Sequence, residues 1–232
     1  GGETVNAGGQ VVKNVTGFDI PKLMCGAFGT LGVMSELTFR VVPKPTRSAV
    51  LSLRGAEVGQ GLRALRRAAA MPLEATGLSY LPRAALPVAF AHLAGPHGVA
   101  LVRVEGEPDP VAEKLQRLQA AFAPLDPVVV DDDLGASLFR GIDDGTFLAL
   151  SSHDLWRAHL PSSSAKELLK DIAPSLWLAD CAGALLWLAM PADGRAQTRL
   201  VARANELQGH VSLFRASEAT RATVDVFPRL DP

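Results

Sequence analysis

The sequence predicts an α+β protein: an antiparallel sheet with helices on one face, made by two βαββαβ units in tandem. Three observations point there. Short β-rich runs alternate with segments whose apolar residues recur at helical spacing, the order of elements repeats once, and a Pro-Lys-Pro break at Pro43–Pro45 sets this part off from a glycine-dense N-terminal stretch.

The first 46 residues include Gly1, Gly2, Gly8, Gly9, Gly17, Gly26, Gly29 and Gly32, a density that marks a backbone turning sharply or lying close to something. Val33 to Val42 is β-rich and loosely alternating, which predicts a strand, and Pro43 and Pro45 end it because proline cannot donate to a ladder. A domain boundary is expected here, giving domains 1–46 and 47–232.

Beyond it, Ser48–Leu53 predicts a strand. Ala56–Ala70 predicts a helix with Val58, Leu62, Leu65 and Ala69 on one face. Strands follow at Glu74–Leu81 and Gly98–Glu105, with Arg83–Pro96 unassigned between them. Asp109–Ala123 predicts a helix capped by Asp109, with Val111, Leu115, Leu118 and Phe122 along one side, and Pro127–Val130 closes the first unit. An intervening helix is expected over Asp133–Ile142. The second unit runs through a strand region within Thr146–Leu160, broken near His153, a helix at Ser162–Ile172, and strands at Leu176–Ala179 and Ala184–Met190. A helix at Arg195–Gln208 comes next, with Gly209 at its C-terminal cap, then a strand at His210–Arg215. Val224 to Pro232 reads as a strand and then a proline-rich loop.

Composition narrows function. With 23 basic and 24 acidic residues the net charge is -1, so no overall excess draws the chain to nucleic acid. No apolar run reaches the roughly 18–20 residues of a membrane-spanning helix. Cys25 and Cys181 lack a CxxC context and read as buried free thiols. His92, His97, His153, His159 and His210 form no HxH or HExxH pattern, so no metal site and no catalytic residue is assigned from them, though His210 could face a partner. Asp131-Asp132-Asp133 reads as the acidic start of a helix, because successive carboxylates on a strand diverge. Trp156, Trp177 and Trp187 read as core or interface anchors, with Trp156-Arg157 beside His159 the one aromatic-basic cluster that suggests a cleft.

The glycine run Gly26-Ala27-Phe28-Gly29-Thr30-Leu31-Gly32-Val33 carries the strongest chemical signal. It is not GxGxxG, it precedes a predicted strand rather than a helix, and it lacks GKS or GKT, so the dinucleotide fingerprint and the Walker loop are both excluded. A glycine turn at a sheet edge and a backbone surface for a flat or anionic ligand both remain open.

Its surroundings extend the pattern. Gly8-Gly9-Gln10-Val11-Val12-Lys13-Asn14-Val15-Thr16-Gly17-Phe18-Asp19 precedes the turn, and Glu36-Leu37-Thr38-Phe39 and Pro43-Lys44-Pro45 follow. This resembles the closing part of the PCMH-type FAD-binding domain of the vanillyl-alcohol oxidase family, in the variant found in glycolate oxidase E subunits. Shorter pieces in the same order resemble the cap domain of that group: Arg103-Val104-Glu105-Gly106, Leu155-Trp156-Arg157, Gly209 to Arg215 and Val224 to Phe227.

The resemblance implies an FAD-dependent oxidoreductase subunit acting on a small 2-hydroxy acid. It implies flavin contacts from Gly29, Thr30, Leu31, Gly32 and Val33, with Gly8, Gly9 and the Lys13–Asp19 loop as further candidates. It also implies partner subunits, among them an iron-sulfur subunit, and a cytoplasmic setting with peripheral membrane association open as part of a complex. Against that family the chain reads as short at both ends, so the isolated 232 residues are expected to hold FAD weakly and to be inactive. A non-catalytic binding or assembly module, and a related flavin oxidase with another substrate, stay as alternatives.

Overall fold

The computed structural model describes residues 2–7, 18–27 and 29–228. The chain divides into two compact units, Gly1–Lys44 and Pro45–Pro232.

Among its described residues the first unit contains one short helix, α1 (Ile20–Met24), capped by Asp19, whose carboxylate accepts from the Lys22 N–H at 3.2 Å and pairs with the Lys22 ammonium at 2.8 Å. No strand forms among its described residues. The strand expected over Val33–Val42 is therefore corrected: the segment has no ladder partner among the described residues, and its residues are exposed. β-propensity describes fit to a pleated, partnered surface and supplies no partner by itself.

The second unit holds one eight-stranded antiparallel sheet. Its first half comprises β1 (Arg47–Leu53), α2 (Val58–Ala70), β2 (Gly77–Pro82), β3 (Gly98–Gly106), α3 (Pro108–Ala121) and β4 (Pro127–Val130). A linking helix, α4 (Asp132–Asp143), leads to the second half: β5 (His153–His159), α5 (Ala165–Ile172), β6 (Leu176–Asp180), β7 (Leu185–Pro191), α6 (Gly194–Glu206) and β8 (His210–Arg215). A last helix, α7 (Glu218–Thr223), follows. The strand order is β4-β1-β3-β2-β6-β7-β5-β8. Each half is thus a βαββαβ unit in the order 4-1-3-2, and the two meet edge to edge at β2 and β6.

Strand alternation sorts the core onto two faces. Ala49, Leu51 and Leu53 of β1 and Leu186, Leu188 and Met190 of β7 point to one face. Against it lie Leu62, Leu65 and Ala68 of α2, Val111, Leu115 and Leu118 of α3, Leu168 and Ile172 of α5, and Leu200 and Ala204 of α6. The four crossover helices therefore share one layer. Val50, Leu101, Leu178 and Trp187 point to the opposite face, where Leu138, Phe139 and Ile142 of α4 cover them.

Several local expectations shift by a residue or two. In α2 the buried register runs through Ala64 and Ala68, and Ala69 is exposed. Glu107, not Asp109, occupies the cap of α3, with Pro108 opening the helix. At the end of α6 the left-handed backbone falls on Gln208 (φ 59°), while Gly209 is needed for space: a Cβ there would lie 2.5 Å from the His159 carbonyl oxygen. The unassigned Arg83–Pro96 stretch forms two 3-10 turns, Arg83–Ala85 and Val88–Leu93. Val224–Pro228 forms no strand, although the Leu213 N–H donates to the Val226 carbonyl at 3.0 Å, and the residues after 228 lie outside the described ones.

Both cysteines are free and exposed, which corrects the expectation of buried thiols. Cys25 ends α1. Cys181 sits on the tight turn between β6 and β7, where three successive residues take positive φ (Cys181 50°, Ala182 56°, Gly183 94°) and hold its side chain outward.

Candidate functional site

The glycine turn predicted to meet a cofactor is built by α1 and the bonds after it. The Ala27 N–H donates to the Met24 carbonyl at 3.2 Å. The Thr30 N–H and hydroxyl both donate to the Ala27 carbonyl, at 2.9 and 2.6 Å. Gly26 (φ 79°) and Gly29 (φ 76°) take left-handed backbone, and neither has an atom within 4 Å of where a Cβ would stand. Gly32 lies 3.5 Å, measured from its would-be Cβ, from the Met24 methyl. Thr30, Leu31 and Val33 are exposed. At Gly26 and Gly29 the turn thus offers backbone that no other described residue covers within 4 Å of the would-be Cβ, a surface that suits a flat group. Gly8, Gly9 and the Lys13–Gly17 part of the predicted loop lie outside the described residues; Asp19 is the cap of α1.

A second polar assembly was not foreseen as a unit. It crosses the α4-covered sheet face of the Pro45–Pro232 unit along one line of register. Ser79 of β2 donates its hydroxyl to Asp180 of β6 at 2.7 Å. Asp180 is registered with Leu185, Leu185 with His159, and His159 with His210. Arg157 lies on the same face of β5, two residues from His159, and Arg103 of β3 is registered with Gly77.

One end of this line is a cavity of about 200 Å³ where the two halves meet, lined by Thr76, Gly77, Arg103, Phe139, Asp143 and Asp180, among others. Arg103 is fixed: its guanidinium donates to the Thr76 hydroxyl at 3.3 Å and carbonyl at 3.1 Å and lies 4.5 Å from the Phe139 ring centre. Burial pushes the Asp143 carboxyl above the ordinary range; Arg103 opposes this, and Asp180 and Asp144 add to it. Burial likewise raises the Cys181 thiol, with Asp180 adding and Arg157 opposing, so it is a poor nucleophile at neutral pH.

The other end is cationic and aromatic. The Arg157 guanidinium lies 4.9 Å from the Trp187 ring centre and 5.8 Å from that of Phe214, and its buried Nε has no hydrogen-bond partner among the described residues. The His159 and His210 rings stack at 4.9 Å, 6° from parallel. Burial lowers the His159 pKa, and the neighbouring Arg157 and His210 lower it further, so His159 is neutral at physiological pH. This end can receive an anion: a preformed cation, flanked by rings, has a donor still to satisfy.

The Trp156-Arg157-His159 cluster is therefore split. Trp156 is buried on the crossover-helix face, while Arg157 and His159 share the other. Asp131 is a helix cap, its carboxylate accepting from the Asp133 and Leu134 N–H groups at 3.1 and 3.2 Å. Among the described residues no three His, Cys, Asp or Glu side chains converge as a metal site, and no helix is long and apolar enough to cross a membrane.

Comparison with known proteins places the chain beside enzymes named for oxidising glycolate or D-lactate, both small 2-hydroxy acids. It is 28% identical over 219 residues to glycolate oxidase subunit GlcE of Escherichia coli (strain K12), covering 94% of this chain and 53% of GlcE. The chain thus spans about half the length of that relative. Over 53 residues, 22% of this chain, it is 40% identical to glycolate oxidase subunit GlcD of Bacillus subtilis (strain 168), covering 11% of that protein. Over 52 residues it is 44% identical to D-lactate dehydrogenase of Anaerostipes hadrus, covering 22% of this chain and 10% of the dehydrogenase. No protein-family model matches the chain.

Proposed function

We propose that the chain is part of the FAD-binding subunit of a glycolate oxidase-like complex, which oxidises a small 2-hydroxy acid to the 2-oxo acid. The observation that carries this is the 28% identity to GlcE sustained over 94% of the chain. In this reading residues 1–46 are the closing wall of the FAD domain and residues 47–232 are the cap. The flavin, when bound, supplies the acceptor for the two electrons of the alcohol. The chain's part is to hold and shield it.

Gly29, Thr30, Leu31, Gly32 and Val33 are the candidate contacts, and Gly8 and Gly9 are further candidates. The bare backbone at Gly26 and Gly29 fits a flat ring system, because any side chain there would hold a ring away. The exposed apolar side chains of Leu31, Val33, Leu37 and Phe39 also suit a wall that a larger domain covers. Arg157 is the candidate receptor for a substrate carboxylate, since its guanidinium is held by rings and has no carboxylate partner among the described residues. Partner subunits, one of them carrying an iron-sulfur centre, and a cytoplasmic setting complete the proposal.

The test is the visible spectrum of the full-length protein. Bound flavin is expected there, and only weak or no binding by the 232 residues alone. A colourless full-length protein would support a non-catalytic assembly module instead. Arg157→Met in the assembled enzyme is expected to raise KM for the 2-hydroxy acid at least tenfold, in line with loss of a charge-assisted hydrogen bond. An unchanged KM removes Arg157 from the site.

A further inference from the structure

The crossover-helix layer has an electrostatic feature that the proposed flavin chemistry does not use. The chain as a whole is nearly neutral, at -1. Yet α2, α5 and α6 present Arg63, Lys166, Lys170, Arg195 and Arg199, all exposed and none in an ion pair among the described residues. The acids on these helices, Glu167, Asp171 and Glu206, are all taken by one residue, Arg203. The two capping acids are engaged at the helix starts: Asp193 accepts from the Arg195 N–H at 3.0 Å, and Glu57 closes a capping box with Gln60 and lies 3.8 Å from the His97 ring nitrogen.

The three helices are neighbours. Arg66 of α2 donates to the Ser162 carbonyl just before α5 at 3.0 Å, and Arg203 of α6 bonds to Glu167 and Asp171 of α5. At the α2–α5 junction two cations converge. The Lys166 Nζ lies 3.3 Å, and an Arg63 guanidinium nitrogen 3.5 Å, from one point, the would-be Cβ of Gly59. Gly59 leaves room for both. Two nitrogens that close to one point lie nearer each other than a Debye length of about 8 Å, so the pair repels. Neighbouring acids that could relieve it are committed elsewhere.

We infer that the α2–α5–α6 face is a docking surface for an acidic protein surface, one rich in Asp and Glu, centred on Arg63 and Lys166. Charge complementarity selects the partner's chemistry. An anionic membrane fits less well. A helix lying in the lipid interface needs a broad apolar face, and none of the exposed large apolar residues falls on these three helices. The inference stands independently of the flavin reading.

The experiment uses the full-length protein and two probes: poly-L-glutamate, and vesicles of phosphatidylcholine with about one-third phosphatidylserine, a composition chosen to present a strongly anionic surface. Poly-L-glutamate is expected to bind at low salt and to weaken on the order of tenfold at physiological ionic strength. The double variant Arg63→Glu/Lys166→Glu should lose at least tenfold in affinity. The control Arg117→Glu, on α3 outside the patch, should bind as the parent does. Lys166→Ala should weaken binding while leaving Tm equal or higher, because it removes a repulsion. Equal binding by the double variant, binding to the vesicles but not to polyglutamate, or a lowered Tm for Lys166→Ala would each overturn the inference.

Discussion

Tyr80 shows how much one side chain can decide. It is fully buried, its hydroxyl donates to the Ala56 carbonyl at 3.2 Å and lies 3.4 Å from that of His97, and its ring stacks on Trp177 at 5.8 Å. Burial, with a smaller push from Glu57, raises its pKa to about 12. It is the chain's one tyrosine, so phenolate formation can be read directly by ultraviolet difference spectroscopy. Between the unfolded value near 10 and about 12 the folded state binds the extra proton. Stability should therefore be intact below pH 10 and fall by about 1.4 kcal/mol per pH unit above it. A phenolate midpoint near 10 in the folded protein would contradict this. The same ring crowds Gly61: a Cβ there would stand 2.5 Å from Tyr80 Cε2. Gly61→Ala gains about 1 kcal/mol of helix propensity but overpacks a ring fixed on both sides, at about 1–3 kcal/mol. A net loss of about 1 kcal/mol in urea denaturation is expected, where an exposed helical glycine would show a gain.

At the scale of elements, α4 and the β2–β6 seam make the sharper cases. Asp131→Ala should cost about 1 kcal/mol by removing the cap of α4, while Asp133→Asn, which leaves both cap bonds in place, should cost only a few tenths through the helix dipole. Equal costs from chemical denaturation would contradict the cap. The seam is held by a single registered pair, Tyr80 with Ala179, and by the bond from buried Ser79 to Asp180. Asp180→Ala orphans that hydroxyl, at about 1–2 kcal/mol, and should speed hydrogen exchange at Tyr80 and Ala179 more than in β1 or β5. Uniform acceleration would mean that the seam does not open on its own.

Legibility divides along the same lines. The strands and crossover helices could be read because each carries its own period, two or 3.6, within a dozen residues. The order of elements then implied the two halves. The line of Ser79, Asp180, His159 and His210 could not be read, because its members come from strands up to 131 positions apart and meet only once the register is fixed. The strand over Val33–Val42 failed for the opposite reason: local propensity was present and, among the described residues, a partner was not.

For the whole Pro45–Pro232 unit the question is whether two repeats behave as two bodies. The sheet's hydrogen bonding nearly parts at the seam, which alone would suggest independent halves. The packing argues otherwise. The helix-side core joins Leu51, Leu65 and Val102 of the first half to Leu168, Leu186 and Leu188 of the second, and the opposite core joins Val50 and Leu101 to Leu178 and Trp187. Each half buries apolar surface against the other on both faces, and at about 25 cal/mol per Å² even a few hundred Å² outweighs the ladder bonds missing from the seam. The unit should therefore unfold in one step. All three tryptophans, Trp156, Trp177 and Trp187, lie in the second half, so their fluorescence follows that half, whereas far-ultraviolet circular dichroism follows both. Coincident urea midpoints by the two probes are expected. A fluorescence transition displaced from the dichroism would mean that the halves fold separately, and that the polar line across the sheet is assembled by docking rather than by folding.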